Sequence, residues 1–298
     1  MKKNILELLK ERVVIFDGAM GTQLIAQGLR KGECPERWNM DRPGDLKQIH
    51  SAYFNAGADV VTTNTFGGTP AKLSNYKLEE KMELINKRAV ELAKSVCPSE
   101  GYVAGDMGPT GYFLPPVGKA AKEDFTRNFK AQAGVLAEAG VDFLIIETQY
   151  DINEGLAALE AARATGLPVF ITFTFEKKKR GFFTIMGNRV SQVMKELEKN
   201  GADVVGANCS LESRDYEELV QEIKESTDLP VLVQPNAGQP IMNADKVTYG
   251  ETPQNFMKHI SKLVKMGVNA VGACCGTTPD YTRVLAKELK ISASDNGD

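Results

Sequence analysis

The chain has 298 residues, of which 42% are hydrophobic and 25% charged, and its formal net charge at pH 7 is −3. This composition is that of an ordinary globular protein, and the small net charge gives no indication of a nucleic-acid or membrane partner. A chain of this length suits a single α/β barrel of about 250 residues better than two small domains.

The N-terminal segment MKKNILELLKER has a charged, helical pattern. It lacks the apolar run and the small-residue cleavage site of a signal peptide. No apolar stretch in the chain approaches the roughly 18–20 residues that a membrane span requires. We therefore expect a cytoplasmic protein.

Eight short apolar segments follow one another along the chain, with helical patterns between them. In four of them a helical run ends at a Gly that precedes the apolar run: 55–64, 138–147, 199–208 and 265–274. The other four are 13–22, 102–111, 166–175 and 227–236. Short runs rich in Val and Ile are typical of buried parallel strands. Eight β-then-α units predict an α/β protein with a single-domain (β/α)8 TIM barrel.

A doubly wound open sheet is the alternative fold. Its nucleotide-binding members carry a G-x-G-x-x-G turn after the first strand. Here the first strand leads into DGAMGT (17–22), which lacks that spacing. We therefore favour a barrel at residues 1–290, followed at 291–298 by a small, polar segment that we expect to be a flexible tail.

The Gly-containing repeat also predicts where polar side chains gather. In all four segments the residue seven positions after the Gly ends the apolar run, and these residues are Asn64, Glu147, Asn208 and Cys274. In a barrel such positions lie at the C-terminal ends of the strands, where active sites are built. The spacing therefore predicts one mouth lined with polar and sulfur-containing side chains.

Three of the five cysteines lie at this predicted mouth. Cys209 follows the sixth strand and Cys274 and Cys275 end the eighth, so only the seventh strand separates them. Three converging thiolates form a site for zinc, and three protein ligands leave the fourth position of a tetrahedral site open. An open position is typical of a catalytic zinc, and an all-sulfur ligand set favours alkylation of a bound thiol over hydrolysis.

The other cysteines and the two histidines lack this placement. Cys34 lies in a polar, loop-like stretch and Cys97 precedes a proline, so we interpret both as incidental. His50 and His259 lie in helical stretches, and we expect neither to be a ligand. Adjacent cysteines also occur as small apolar core residues, and a purely structural three-cysteine site is the simplest alternative.

Seven motifs connect the chain to a known family. They are DGAMGT (17–22), TNTFG (63–67), GDMGPTG (105–111), ET (147–148), NCS (208–210), QPNAGQP (234–240) and GACCGTTP (272–279). Through them the chain resembles the homocysteine S-methyltransferase family, and it is most similar to the homocysteine-binding module of cobalamin-dependent methionine synthase. The resemblance extends from about residue 12 to residue 290, nearly the whole chain.

The resemblance implies a role for several residues. It implies that Cys209, Cys274 and Cys275 bind one zinc ion whose fourth ligand is the thiolate of homocysteine. The residues it places around the amino acid end of homocysteine are Asp17, Gly18, Ala19 and Glu147. Asn64, Asn208 and Asn236, at strand ends, are further candidates for orienting the ligands or the substrate. Glu147 can pair with the α-ammonium group, and backbone N–H groups of the 18–21 turn can receive the carboxylate. An oxygen near Asn236 would fill the open zinc position when substrate is absent.

The source of the methyl group stays open at this level. No D-x-H-x-x-G cobalamin motif surrounds either histidine, so we expect cobalamin only on a separate corrinoid protein or on folate and cobalamin modules in trans. S-methylmethionine is an alternative donor. Betaine is less favoured, because the betaine enzyme's pattern has Tyr where this chain has Thr148. A non-catalytic thiol- or zinc-binding subunit is the alternative of another class.

Overall fold

A computed structural model describes residues 2–243 and 246–294 of the chain. Eight parallel strands, each hydrogen-bonded to the next, form one sheet. In chain order they are β1 (Val14–Ile15), β2 (Val60–Thr62), β3 (Tyr102–Met107), β4 (Phe143–Gln149), β5 (Val169–Phe173), β6 (Val204–Glu212), β7 (Val231–Asn236) and β8 (Ala270–Val271). All eight predicted strands are present, in the predicted order.

The sheet closes on itself between its first two strands. Phe16 and Val60 form a parallel bridge. The Asp59 N–H donates to the Ile15 carbonyl at 2.7 Å, and the Asp17 N–H donates to the Val60 carbonyl at 3.0 Å. A closed ring of eight parallel strands with helices outside it is the (β/α)8 barrel, so the predicted fold is confirmed.

Helices surround the barrel. They are α1 (Ile5–Glu11), α2 (Met20–Ala26), α3 (Trp38–Asp41), α4 (Pro43–Asn55), α5 (Pro70–Ser74), α6 (Met82–Lys94), α7 (Lys122–Glu138), α8 (Ile152–Arg163), α9 (Val190–Lys199), α10 (Tyr216–Lys224), α11 (Pro253–Lys265) and α12 (Pro279–Ser294). The described helices include none that is long and apolar enough to cross a membrane. Because α12 runs to Ser294, half of the predicted tail is helical, and residues 295–298 lie outside the described residues.

The N-terminal end of the barrel is sealed by apolar packing. Ile5 and Leu9 of α1 pack with the interior residues of the strands, and Asn4 caps this helix by accepting the Leu6 N–H at 2.8 Å. Above them, Phe143 stacks against Phe170 with ring centroids 4.4 Å apart. The barrel interior at this end is therefore filled with apolar side chains.

Two antiparallel hairpins extend from the mouth, and the sequence analysis did not predict either of them. The first hairpin (Glu176–Lys178 with Gly181–Phe183) follows β5, and the second hairpin (Pro240–Asn243 with Lys246–Tyr249) follows β7. The second hairpin places three of its residues, Val247, Thr248 and Tyr249, at the central cavity. It therefore contributes a wall to the site.

Candidate metal and substrate site

The three predicted cysteines meet at the mouth. Their sulfur atoms all lie within 4.8 Å of one another. The Sγ atom of Cys275 is 3.8 Å from that of Cys209 and 4.0 Å from that of Cys274. In a tetrahedral zinc site, zinc–thiolate bonds of about 2.3 Å place two sulfurs about 3.8 Å apart. The cluster thus has the spacing that a zinc ion requires, and its half-buried sulfurs remain accessible to a further ligand.

The pKa values of the clustered thiols also favour a bound cation. Hydrogen bonds from Cys209 and Cys274 lower the pKa of Cys275 to about 3. Hydrogen bonds with Cys209 and Cys275 raise the pKa of Cys274, because Cys274 donates its proton to a neighbouring sulfur. Without a cation the cluster therefore retains thiol protons, whereas a bound metal ion favours the thiolate form of all three.

Local backbone geometry orients Cys209. Strand β6 loses register with β7 between Asn208 and Glu212. At this irregularity Cys209 and Ser210 have φ angles of 60° and 57°, in the left-handed region that non-glycine residues seldom adopt. A β-bulge re-aims a side chain next to many active sites. Here it bends the chain at Cys209, one of the three clustered cysteines.

A second bulge lies in β4, and Asn208 connects the two. Thr148 has a φ of 61° at the point where β4 loses register with β5. The Asn208 Oδ1 atom accepts the Thr148 N–H and the Thr172 hydroxyl, both at 2.8 Å, and its Nδ2 donates to Thr148 Oγ1 at 2.7 Å. These three hydrogen bonds use both polar atoms of the Asn208 side chain, which is fully buried. Asn208 therefore links β6 to β4 and β5, and we call this set of bonds the Asn208 clamp.

The DGAMGT turn packs directly on the cysteine loop. The Thr277 hydroxyl accepts the Ala19 N–H at 3.1 Å and donates to the Cys274 carbonyl at 2.7 Å. A Cβ atom on Gly18 would lie 2.7 Å from Thr277 Oγ1, so only glycine allows this approach. The predicted carboxylate-binding turn and the predicted metal loop therefore form one unit.

Next to the cysteines lies a cavity of about 780 Å³. Four carboxyl groups line it: Asp17, Glu36, Asp106 and Glu147. Burial and the nearby Cys209 thiol raise the pKa of Glu147 to about 7. Burial also raises the pKa of Asp17, and the charge of Glu147 adds to this shift. An acidic cavity of this kind favours a cationic group on its ligand.

The predicted asparagines differ in their placement. Asn64 lines the cavity, and its Nδ2 donates to Asn39 Oδ1 at 3.0 Å. Asn236 ends β7 between the cysteine strands, and its buried Oδ1 has no hydrogen-bond partner among the described residues. The neighbouring Ala237 N–H donates to the Cys275 carbonyl at 2.9 Å. The structure therefore leaves an unused oxygen at the end of the strand between the cysteines.

Three residues of the cavity were not predicted from the sequence. Glu36 and Asp106 were not singled out, although Asp106 lies in the GDMGPTG motif at the end of β3. Tyr249 was not singled out because the second hairpin was not predicted. Its ring covers Gly276, where a Cβ atom would lie 2.2 Å from Tyr249 Cγ. Its hydroxyl also hydrogen-bonds to Cys275 and contributes to the lowered pKa of that thiol.

The histidines and remaining cysteines lie elsewhere. Among the described residues, the single group of three or more potential ligands close enough for a metal ion is the cysteine cluster, and it contains neither His50 nor His259. Cys34 is buried beside Glu36, with its Sγ 3.3 Å from Oε2. Cys97 is half-buried and donates to the Pro98 carbonyl.

Comparison with known sequences identifies relatives. A family model described as homocysteine S-methyltransferase matches residues 14–289. The methionine synthase of Mycobacterium leprae (strain TN) is 32% identical over 302 aligned positions, which cover 95% of this chain and 25% of that protein. The methionine synthase of Mycobacterium tuberculosis (strain ATCC 25618 / H37Rv) is 31% identical with the same coverage. The chain thus spans about a quarter of the length of these relatives.

Comparison with solved structures gives the same fold. The metallated form of the homocysteine methyltransferase MmuM from Escherichia coli superposes with a TM-score of 0.79 at 24% identity, covering 96% of this chain and 100% of that one. Its oxidized form superposes with a TM-score of 0.80 over the same share of both chains. At this level of identity the similarity supports the barrel fold and its topology.

Proposed function

This chain belongs to the homocysteine S-methyltransferase family, and from that premise we propose that it methylates the thiol of homocysteine to give methionine. One observation carries the proposal: three cysteine sulfurs within 4.8 Å of one another open onto an acidic cavity. The cluster supports a thiophilic metal, and the acidic cavity supports a ligand that carries an ammonium group. Homocysteine combines these two groups in one small molecule.

In this proposal Cys209, Cys274 and Cys275 hold one zinc ion. When bound, zinc supplies the acidity that ionises a thiol at neutral pH and keeps it nucleophilic in an all-sulfur ligand set. The Asn208 clamp and the bulge at Cys209 keep the sulfurs in position before the metal binds. Asn236 Oδ1, buried and without a partner, is our candidate for the fourth ligand in the absence of substrate.

The chain's own residues orient the amino acid end of the substrate. Gly18 and Ala19 lie in the turn that packs on Thr277, and both line the cavity. Because the Ala19 N–H is donated to the Thr277 hydroxyl, in our proposal the other N–H groups of the 18–21 turn receive the carboxylate. Glu147 lines the same cavity from β4 and pairs with the α-ammonium. When the carboxylate and the ammonium group are both held, the thiol at the other end of homocysteine points at the cysteines. In this position the thiol can meet a methyl donor in line.

For the methyl donor we propose methylcobalamin carried by a separate corrinoid protein or module. The support is the identity to two methionine synthases whose chains extend well beyond the matched region. In such an arrangement residues 1–290 form the homocysteine-binding barrel, and its mouth is open to a partner that carries the methyl group. S-methylmethionine is the alternative donor that the same site could use.

A donor-resolved assay tests the proposal. The purified, zinc-loaded chain is incubated with homocysteine and, in separate reactions, methylcobalamin, S-methylmethionine or betaine, and methionine formation is measured. We expect methionine from methylcobalamin, with a higher rate when a corrinoid protein carries it. Methionine from S-methylmethionine alone would reassign the donor, and no methionine with any donor would contradict the proposed activity and favour a thiol-binding subunit.

A further inference from the structure

The tip of the first hairpin carries an excess of positive charge. The run at 176–180 is Glu-Lys-Lys-Lys-Arg, and all of its residues are exposed. Its first lysine, Lys177, pairs with Glu218 of α10 at 2.7 Å, and its second lysine pairs with the glutamate of the run. Among the described residues, no acid lies within ion-pairing distance of Lys179 or Arg180. Two unbalanced cations therefore lie side by side in a chain whose net charge is −3.

Packing at the base of the first hairpin fixes the position of this tip. Phe175 and Phe182 are buried, and the ring of Phe175 lies 6.4 Å from that of the last residue of β5. Gly181, with a φ of 103°, follows the two cations, and a Cβ atom there would lie 2.7 Å from Glu222 Oε1 of α10. The hairpin thus packs on the helix that follows β6, and the tip lies on the C-terminal face of the barrel beside the strand of Cys209.

Two exposed apolar side chains lie at the base of the same hairpin. The chain turns there tightly: the Gly187 N–H donates to the Thr184 carbonyl at 2.9 Å, and the Thr184 N–H donates to the Asn188 carbonyl at 2.9 Å. The two central residues of this turn are Ile185, which is 68% exposed, and Met186, which is 37% exposed. Gly, Pro, Asn, Asp and Ser are the residues that turns favour, so the local structure does not account for an apolar pair at this position.

The cations and the apolar pair are close enough for one partner to cover both. Arg180 and Ile185 are five positions apart in the sequence, which is at most about 18 Å of extended chain. A stable protein complex covers about 800 Å² on each partner, with apolar contacts at its centre and charged groups at its rim. A nucleic acid or a free anion would use the cations alone, so the combination favours a protein with an acidic surface.

We propose that the first hairpin docks a separate protein that delivers the methyl group, and that this protein presents acidic side chains to Lys179 and Arg180 and an apolar patch to Ile185 and Met186. This inference rests on the proposed function, in which the methyl donor reaches the mouth from outside the chain. The hairpin follows β5, the neighbour of the strand that carries Cys209, so a protein held there lies beside the cysteine cluster. Opposite charges raise the rate of encounter between two proteins, and apolar contacts slow their dissociation.

An assay that compares two forms of the donor tests the inference. The zinc-loaded wild type and the double variant Lys179→Glu/Arg180→Glu form methionine from homocysteine with either free methylcobalamin or a corrinoid protein loaded with methylcobalamin. We expect the KM for the loaded corrinoid protein to rise about tenfold in the variant at low ionic strength. The difference should shrink in about 0.5 M NaCl, because salt screens exposed charges. The rate with free methylcobalamin should be unchanged, since neither residue lines the cavity.

Ile185→Ser tests the apolar part of the surface. It should raise the KM for the loaded corrinoid protein several-fold, and this rise should persist at high salt. The matched control is Lys10→Glu/Lys199→Glu, which makes the same change in net charge at two exposed lysines near the N-terminal end of the barrel and should leave every rate unchanged. Lys179→Ala/Arg180→Ala, with a smaller rise in KM, replaces the charge reversal if circular dichroism shows that the Glu variant does not fold.

The outcomes separate the docking role from the proposed function. An unchanged KM for the corrinoid protein in the folded hairpin variants, or an equal loss of rate with free methylcobalamin, would overturn the docking role. So would a wild type that uses the loaded corrinoid protein no faster than free methylcobalamin, or one whose two cations bind phosphatidylglycerol vesicles and have no effect on the corrinoid protein. If the wild type formed no methionine with any donor, the proposed function itself would be contradicted.

Discussion

The two sides of the barrel mouth are built differently. On the sulfur side, formed by β6, β7 and β8, a backbone bulge beside the Asn208 clamp orients Cys209, and the three cysteine sulfurs lie at distances that suit a metal ion. On the carboxylate side, formed by β1 to β4, four acids collect without a balancing basic side chain among those described. The three sulfurs thus lie close enough together to share one metal ion, whereas the acids of the carboxylate side have no basic side chain among the described lining residues to balance them.

This difference separates affinity for the metal from recognition of the substrate. Changes on the sulfur side should abolish zinc binding and with it all activity. Changes on the carboxylate side should leave zinc in place and weaken only the binding of amino acid thiols. The following predictions test this separation, from the largest expected effect to the smallest.

Replacing Cys275 by Ala should have the largest effect. The Cys275 sulfur lies 3.8 Å from that of Cys209 and 4.0 Å from that of Cys274, so its loss leaves two ligands and removes tight zinc binding. Zinc content measured by mass spectrometry should fall well below one ion per chain, and methionine formation should fall to background. Cys97→Ala is the control, because Cys97 is half-buried outside the cluster, and it should retain zinc. A Cys275→Ala protein with full zinc content would refute the ligand assignment.

Glu147→Gln should weaken substrate binding and leave the metal in place. The amide cannot pair with an ammonium group as a carboxylate does, so the KM for homocysteine should rise by about 10- to 100-fold. Zinc content should remain at one ion per chain. If Glu147→Gln instead lost zinc, the two sides of the mouth would not be independent.

The pH dependence of binding should distinguish homocysteine from its amine-free analogue. The pKa of Glu147 is raised to about 7 in the ligand-free cavity, so the group is mostly protonated below that pH. Binding of the ammonium requires the carboxylate, and the affinity ratio of homocysteine to 4-mercaptobutanoate should therefore fall as pH falls below 7, by up to about tenfold per unit. Taking the ratio cancels the ionisation of the thiol. A ratio that stays constant between pH 8 and pH 5.5 would contradict the role of Glu147.

Asn208→Ala should reduce stability more than it changes the chemistry. The substitution leaves the Thr148 N–H and the Thr172 hydroxyl without their acceptor. Because the Thr172 hydroxyl is fully buried and the Thr148 N–H partly so, the free energy of unfolding in urea should fall by about 1–3 kcal/mol. Asn200→Ala, at the exposed end of α9, is the matched control and should change it little. An equal loss in both proteins would argue against the clamp.

Tyr249→Phe should have the smallest effect of the series. The substitution removes the hydrogen bond from the Tyr249 hydroxyl to Cys275 but retains the ring that covers Gly276. The zinc dissociation constant, measured by competition with a chelator, should rise only a few fold, as for one hydrogen bond of about 1 kcal/mol. Tyr112→Phe, on the partly exposed Tyr112, controls for the loss of a hydroxyl. A loss of zinc as large as that of Cys275→Ala would mean that the second hairpin is part of the metal site.

The sulfur side was largely predictable from the sequence. A Gly seven positions before Cys274 placed this cysteine near the end of β8, which the structure ends three residues earlier at Val271, and the barrel topology placed Cys209 two strands away. The bulges at Thr148 and Cys209 were not predictable, because they depend on Asn208 reaching across to β4 and β5. Local sequence does not encode a contact between residues 60 positions apart.

The carboxylate side was predictable only in part. Glu147 followed from the same Gly spacing, and Asp17 followed from the family resemblance. Asp106 ends a strand that lacks the Gly-containing repeat, and Glu36 reaches the cavity from a 3-10 turn at Pro35–Arg37 between β1 and β2. Their convergence depends on how the loops fold over the mouth, and so does the placement of Tyr249 by the second hairpin.

X-ray absorption at the zinc edge tests the central claim most directly. The zinc-loaded protein is measured without substrate, with homocysteine and with methionine as a control that lacks a thiol. We predict three sulfur ligands and one lighter atom without substrate or with methionine, and four sulfur ligands with homocysteine. A spectrum that does not change when homocysteine is added would contradict the claim, because it would describe a closed structural site.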